Sequence, residues 1–413
     1  MRFQLPKRLL SLLLIIFFIA WGTACGMNDM DTASGYNGGD YAGAEAGTPS
    51  EPGGDGEEQE EIPPGQLTAG EWRDLDHWEF WQNLFEAPDP QDPDSISLWS
   101  QYEALWGTYT HERFAVSVVS SGDPVIDAEV VLLDESDDPV WTGRTDNRGR
   151  VELFNGYFGD AASGPFSIRA TSGASQNILE DVESAQSDSL EISLESATAP
   201  AHKVDLMFMI DTTGSMGDEL RYIQAELGDV LTRANDEVGA SMDLRLSVNF
   251  YRDHGDDYLV RSFPFTDDYA QAISDLQAQS AAGGGDYPEA VDMAMENAIF
   301  EHQWSGDATA RLLFIVLDAP PHENQESIDR LHIAIEEMAA QGVRVIPLMG
   351  SGYDKSTEYL MRSFAIATGG TFTFLTDHSG IGDSHMEPTT GDYKVEFLND
   401  LLVRVIESYS ALN

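Results

Sequence analysis

From about residue 202 to its end, the chain alternates apolar strand patterns with amphipathic helix patterns, and this alternation restricts the fold more than any other feature. Val204-Asp205-Leu206-Met207-Phe208-Met209-Ile210 is a near-continuous apolar run that ends at Asp211. Arg311-Leu312-Leu313-Phe314-Ile315-Val316-Leu317 is a second, ending at Asp318. Short apolar runs without period-two alternation are strands covered on both faces. Residues 244–251 and 258–265 read as two more strands, able to pair as a hairpin around Asp253-His254-Gly255-Asp256. Strand patterns at 343–348 and 371–375, and helix patterns at 217–235, 269–279, 287–301, 326–340, 356–367 and 393–409, complete the series. Buried strands alternating with helices predict a doubly wound, Rossmann-like α/β sheet over residues 202–413.

Upstream the period changes. Between 108 and 198 it is two: 114–119, 128–133, 150–154, 166–170 and 190–194 are short strands separated by Gly, Asp, Asn and Ser turns, the pattern of a β-sandwich. Residues 69–107 hold five of the eight tryptophans, Trp72, Trp78, Trp81, Trp99 and Trp106, with helical spacing interrupted by Pro88, Pro90 and Pro93. This Trp-rich helical segment offers either core against the next domain or an exposed platform for carbohydrate or peptide. Residues 26–68 are rich in Gly, Ala, Asp, Glu, Pro and Ser and contain no Lys or Arg. They read as a disordered acidic linker, because they bury too little apolar area to offset their ordering entropy. The chain is therefore multidomain.

Residues 1–25 have the layout of an export signal. Arg2, Lys7 and Arg8 flank an apolar stretch from Leu9 to Trp21, and Gly22-Thr23-Ala24-Cys25 supplies small residues for cleavage. The stretch is short for a membrane-spanning helix, which takes roughly 20 apolar residues. Cys25 is the single cysteine, so no intramolecular disulfide can form. Its position resembles the lipobox of bacterial lipoproteins, with Gly22 where a leucine is usual. That resemblance implies lipidation of Cys25 and a lipid-anchored place in the cell envelope, at the outer membrane or the cell surface. An ordinary secretory signal with an incidental cysteine is the alternative. The 22 Lys and Arg against 72 Asp and Glu give a net charge of -50. Such a chain repels phosphate backbones, so nucleic acid is not an expected partner.

Doubly wound sheets bind ligands at the carboxyl ends of their strands, near a topological switch. There Asp211-Thr212-Thr213-Gly214-Ser215 can direct Asp211, Thr213 and Ser215 to one side of an extended loop. One carboxylate and two hydroxyls are hard donors that suit Mg2+, Mn2+ or Ca2+. Asp318 ends the other apolar strand. His254, among Asp253, Asp256 and Asp257, reads as part of a solvated acidic loop. His322-Glu323 lacks the second histidine of a zinc-protease helix, and the Gly283 to Gly285 loop lacks the Lys-Ser or Lys-Thr of a phosphate-binding loop. No serine sits in a Gly-x-Ser-x-Gly elbow.

Asp-x-Thr-x-Ser after an apolar strand, with a distant aspartate closing another, resembles the metal-ion-dependent adhesion site of von Willebrand factor A (VWA) domains. The resemblance covers roughly residues 202–413. Val248-Asn249-Phe250-Tyr251-Arg252-Asp253, Gly283-Gly284-Gly285-Asp286-Tyr287-Pro288-Glu289 and Leu317-Asp318-Ala319-Pro320-Pro321-His322 resemble its hemicentin-like branch. It implies that Asp211, Thr213 and Ser215 hold Mg2+, or Mn2+ or Ca2+, directly or through water, with Asp318 helping. Where many members have a threonine after the glycine-rich loop, this chain has Asp286, which either joins the metal or caps a helix starting near Pro288. Residues 123–130 and 145–150 resemble carboxypeptidase regulatory-like or Ig-like modules, in which Thr-Asp-x-x-Gly is a turn. The whole reads as a non-enzymatic lipoprotein, anchored to the membrane through lipid on Cys25, whose VWA domain engages an extracellular or envelope protein through the cation. Two alternatives use the same site: a metal-dependent hydrolase with His322 as base, and a purely structural cation.

Overall fold

Parallel strands need cover on both faces, and the apolar runs of the C-terminal half are built for it. In the computed structural model, which describes residues 62–88, 92 and 95–412, β1 (Thr68–Trp72) is followed by α1 (Trp78–Asn83) and α2 (Leu98–Trp106). Then come β2 (Arg113–Ser120), β3 (Asp123–Pro124), β4 (Glu129–Leu133), β5 (Pro139–Arg144), β6 (Arg150–Phe154), β7 (Phe166–Ser172), β8 (Ser175–Val182) and β9 (Ala185–Leu194). The remainder runs β10 (Lys203–Asp211), α3 (Leu220–Glu237), β11 (Asp243–Tyr251), β12 (Val260–Arg261), α4 (Tyr269–Gln277), α5 (Val291–Phe300), β13 (Ala310–Leu317), α6 (Gln325–Gln341), β14 (Val343–Met349), α7 (Lys355–Thr368), β15 (Phe372–Leu375), β16 (Glu396–Phe397) and α8 (Leu398–Ser410). The expected leader, Cys25 and the linker up to residue 61 lie outside the described residues. Among those described, no helix is long and apolar enough to cross a membrane.

One sheet runs β12-β11-β10-β13-β14-β15-β1-β16. Its five strands from β11 to β15 are parallel, and β12, β1 and β16 pair antiparallel. The chain passes from β10 to β11 on one side and returns to β13 on the other, so the switch point lies between β10 and β13. Their register sets Ile210 against Val316, which brings the Asp211 and Asp318 ends together. Alternate β10 residues enter separate cores. Val204, Leu206, Phe208 and Ile210 meet α3 and α8 through residues such as Leu227 and Leu402. Met207 and Met209 join the layer of α5, α6 and α7, with Met295, Ile335 and Phe364. Each side chain of this size contributes roughly 1.5–3 kcal/mol when fully buried, so the cores hold both strands rigidly under the site.

Two expectations need correction here. The strand expected over 258–265 shrinks to Val260–Arg261. Beyond it, side chains replace the ladder: the Asn249 amide oxygen accepts from the Phe263 N–H (2.7 Å), and the Ser247 hydroxyl donates to the Phe263 carbonyl (2.7 Å). The second concerns the boundary at residue 68. Residues 62–68 are placed against the large domain, and the segment from 69 opens as a strand, not a helix. β1 lies between β15 and β16, and the buried Glu226 carboxylate of α3 accepts the N–H groups of Gly65, Gln66 and Leu67 at 2.8, 2.6 and 2.9 Å. Gly70 is required by close approach, since a Cβ there would lie 2.7 Å from the Phe374 ring. The large sheet thus draws a strand from upstream of β2–β9, and those strands are an insertion within it.

The five tryptophans of 69–107 are all buried. Among the described residues of this segment no tryptophan forms an exposed platform, and these rings serve as core. The fully buried Arg362 of α7 forks onto Asp74 (2.9 and 2.5 Å), reaches Glu358 (2.9 Å), and lies 5.1 Å from the ring centres of both Trp81 and Trp99. A buried guanidinium is tolerable only when paired and hydrogen-bonded in this way. The Trp106 indole N–H donates to Ser356 at 2.9 Å, fastening α2 to α7.

Strands β2–β9 make two small four-stranded sheets, antiparallel except where β2 pairs with β9. Their inward residues, among them Val118, Leu132, Trp141, Leu153, Ile168 and Ile192, share one apolar cluster. The Asp146 carboxylate accepts from the Arg148 and Arg150 N–H groups (2.8 and 2.9 Å), a turn role. Asn147 donates to the Ser408 and Ala411 carbonyls at the end of α8 (3.0 and 2.8 Å). Asp127 holds Arg144 of β5 (2.6 Å) and the buried Arg311 at the start of β13 (2.9 Å). The small sheets therefore grip the amino ends of the central strands, opposite the ends that carry Asp211 and Asp318.

Candidate functional site

At the switch point the chain leaves β10 through a short turn, Gly214–Asp218, before α3. Asp211 is fully buried. One of its oxygens, Oδ1, accepts from the Thr213 N–H (2.8 Å) and hydroxyl (2.7 Å). The Thr213 hydroxyl is also 3.2 Å from that of Ser215, which is exposed. Asp211, Thr213 and Ser215 thus share one turn, with Ser215 on the open side. Asp318 is buried at the end of β13. Burial pushes the Asp211 carboxyl up to about 7, with Asp318 adding to the shift, and burial likewise raises Asp318 to about 6.

The neighbouring Gly283–Gly285 loop is held close by backbone. The Gly214 N–H donates to the Gly283 carbonyl (3.1 Å), and a Cβ on Gly214 would lie 2.9 Å from that oxygen. Asp256 accepts from the Gly284 N–H at 2.9 Å. Arg252 spans the base of the loops by donating to the Thr212 and Ser280 carbonyls (3.1 and 2.8 Å). Asp286 caps nothing: α5 begins at Val291 with Ala290 at its N-cap, because the chain first bridges from Glu289 to Pro321. Asp286 itself is exposed.

Glu289, to which the sequence reading gave no role, is the buried carboxylate of this loop. It is 3 % exposed, and its Oε1 would be 2.8 Å from a Cβ on Gly284, a point that is 3.3 Å from the Thr213 Cβ. Burial, with Asp211 and Asp253 next in effect, pushes its carboxyl up to about 9. A weak signal for it existed in the sequence: a glutamate directly before the Ala290-Val291 start of a buried helix.

Three oxygens, Oδ2 of Asp211, Oδ1 of Asp318 and Oε2 of Glu289, are buried without a hydrogen-bond partner, as is the Tyr251 hydroxyl that adjoins Asp211. Buried polar atoms are nearly always satisfied. An oxygen-ligated divalent cation would satisfy those of these oxygens that face it, and two carboxylates with neighbouring hydroxyls make a hard donor set that fits such an ion. Among the described residues no three Asp, Glu, His or Cys side chains converge on one point. The hydroxyls of Thr213 and Ser215 are therefore needed in the donor set. At the rim, His322 Nε2 pairs with Asp253 Oδ1 (2.8 Å), and His254 lies 5.6 Å from the His322 ring. The exposed Tyr287 donates to the Gly352 carbonyl at 2.9 Å.

An ariadne-like RING finger protein of Acanthamoeba polyphaga mimivirus is 25% identical over 191 residues, 42% of this chain and 18% of that protein. The chain thus spans under a fifth of that relative's length. Residues 205–377 match the family model of the von Willebrand factor A domain. Residues 205–377 are thus similar to a von Willebrand factor A domain, and Asp211, Thr213, Ser215, Glu289 and Asp318 all lie within the matched segment.

Proposed function

We propose that the VWA domain binds a divalent cation, Mg2+ or else Mn2+ or Ca2+, and uses it to engage an extracellular or envelope protein, on a chain anchored to the membrane through lipid on Cys25. The observation that carries the cation is the set of buried, unpartnered oxygens of Asp211, Asp318 and Glu289 beside the Thr213 and Ser215 hydroxyls. Asp211 and Asp318 would hold the ion from two rigid strands, and Thr213 and Ser215 from the open turn. The exposure of Ser215 supports access by a partner. The leader pattern and Cys25 support the anchor.

Calorimetric titration of the three ions into the chain from residue 26 onward tests this. Saturable binding that disappears in Asp211→Ala supports it, as does partner capture that EDTA reverses. Absence of binding for all three ions overturns it. Metal-dependent hydrolysis abolished by His322→Ala would instead favour the hydrolytic alternative. Stabilisation by metal with partner capture indifferent to Asp211 and Asp318 would favour a structural ion.

A further inference from the structure

At the carboxyl edge of the large sheet, the chain leaves β15 at Leu375 and runs through residues 377–385 before it reaches β16. We propose that His385 is a proton-operated latch on this loop: charged, it fastens 377–385 to the head of α3, and on losing its proton it lets the loop go. The His385 ring is 3 % exposed and lies between two carboxylates. Its Nδ1 is hydrogen-bonded to Asp377 Oδ1 at 2.9 Å, and the same oxygen accepts the His385 N–H at 2.8 Å. Its Nε2 lies 2.9 Å from Oε1 of the buried Glu219, an ion pair without an aligned hydrogen bond, so its strength rests on charge. A neutral imidazole carries one N–H. Held to Asp377 through Nδ1–H, it would turn the Nε2 lone pair onto a buried carboxylate, where low dielectric makes the repulsion strong. Only the imidazolium satisfies both sides.

The loop comes down this far because Gly382 has no side chain. Its φ is +82°, and a Cβ there would collide with Glu219 Oε1. Beside it the Asp383 N–H donates to Asp218 Oδ2 at 2.7 Å. Glu219 in turn accepts the Ser351 N–H, 3.2 Å from each of its oxygens, and the Gly350 N–H donates to the Leu317 carbonyl at 2.8 Å. The latch thus joins the loop, the head of α3, the turn after β14 and the end of β13. The charged and titratable groups around His385 are Asp218 and Glu219 at the start of α3, and Asp377, His378 and Asp383 on the loop itself. On α7, Lys355 is engaged by Glu358 and the Glu387 carbonyl. Burial works against the charge on His385, but Glu219 and Asp377 outweigh it and raise the imidazole above its ordinary 6.5. Latching is therefore complete below about pH 6.5 and is lost as pH rises through the raised value. Release bares Glu219 and frees the turn after β14, so the loop is a pH-sensitive cover on the sheet edge where Asp211 and Asp318 lie. The latch needs no bound ion.

The test follows amide hydrogen exchange, corrected for the intrinsic effect of pH, in the chain from residue 26 onward between about pH 6 and about pH 9, with EDTA present. The expected result is that residues 377–385 lose protection as pH rises while β13 and β14 keep theirs, and that His385→Gln is weakly protected throughout, with no step. In Asp377→Asn, which removes an exposed carboxylate that supports the charge, the step should move to lower pH. Constant protection of the loop in wild type, or the same step in His385→Gln, overturns the latch. If His385→Gln does not fold, Asp377→Asn decides, and a step left at the wild-type pH overturns it. Since EDTA keeps divalent ions out, failure here is separate from failure of the cation reading.

Discussion

At the scale of single residues, the site is set by where small side chains let loops touch. Gly284 has a φ of +67°, and a Cβ there would sit 2.8 Å from Glu289 Oε1. An L-residue pays roughly 1–2 kcal/mol for left-handed backbone, and Glu289 would have to move away from Thr213. Gly284→Ala should therefore lower the melting temperature and weaken cation binding together. Gly285→Ala, at a position with nothing within 4 Å of its Cβ, should change neither, and equal behaviour of the two variants would refute the close approach. Asp211, Thr213, Ser215 and Asp318 were legible in the sequence because apolar runs announce where strands end. Glu289 was not. Its burial follows from a bridge between Glu289 and Pro321 that delays α5 to Val291, a contact between loops distant in sequence. The same bridge leaves Asp286, three residues earlier, in solvent.

At the scale of elements, local periodicity revealed the strands and helices whose signal lies within their own residues, and failed where the signal is long-range. β1 is five residues long, and its partners β15 and β16 come from the far end of the chain. Nothing near Thr68 marks it as a strand, and its Pro and Gly neighbours look like linker. Its stability depends on Glu226, whose carboxylate collects three consecutive N–H groups, that of Leu67 being buried. Hydrogen bonds to a charged acceptor contribute about 1.5–3 kcal/mol each at most, and an orphaned buried donor costs about 1–3 kcal/mol. Glu226→Ala should therefore destabilise the protein by about 2–4 kcal/mol and open residues 62–72 to protease. A chain begun at residue 200, lacking β1, should unfold at a lower temperature still. Unchanged melting in Glu226→Ala would mean that the N-terminal strand is held by sheet pairing alone.

At the scale of the molecule, the dominant fact is charge. The small sheets and the tryptophan segment are fastened to the large domain by a partly buried pair, Arg311 with Asp127, and a buried one, Arg362 with Asp74, while the net charge of the chain is -50. The two kinds of electrostatics respond to salt differently. Surface repulsion acts over a Debye length of about 30 Å at 0.01 M and about 3 Å at 1 M, so added salt removes most of it. The pair at Arg362 is buried and that at Arg311 partly so, and both are tightly bonded, so screening weakens them less than it weakens exposed charges. Relief of repulsion should therefore win. With EDTA present to exclude divalent ions, the melting temperature should climb steadily as NaCl is raised from about 0.01 M to 1 M, and KCl should act equally, since the effect is one of ionic strength. A flat curve would mean that the acidic residues are spaced widely enough not to interact. A falling curve would mean that exposed pairs such as Arg404 with Glu396 and Lys203 with Asp307 hold the fold together more than the surplus of negative charge drives it apart.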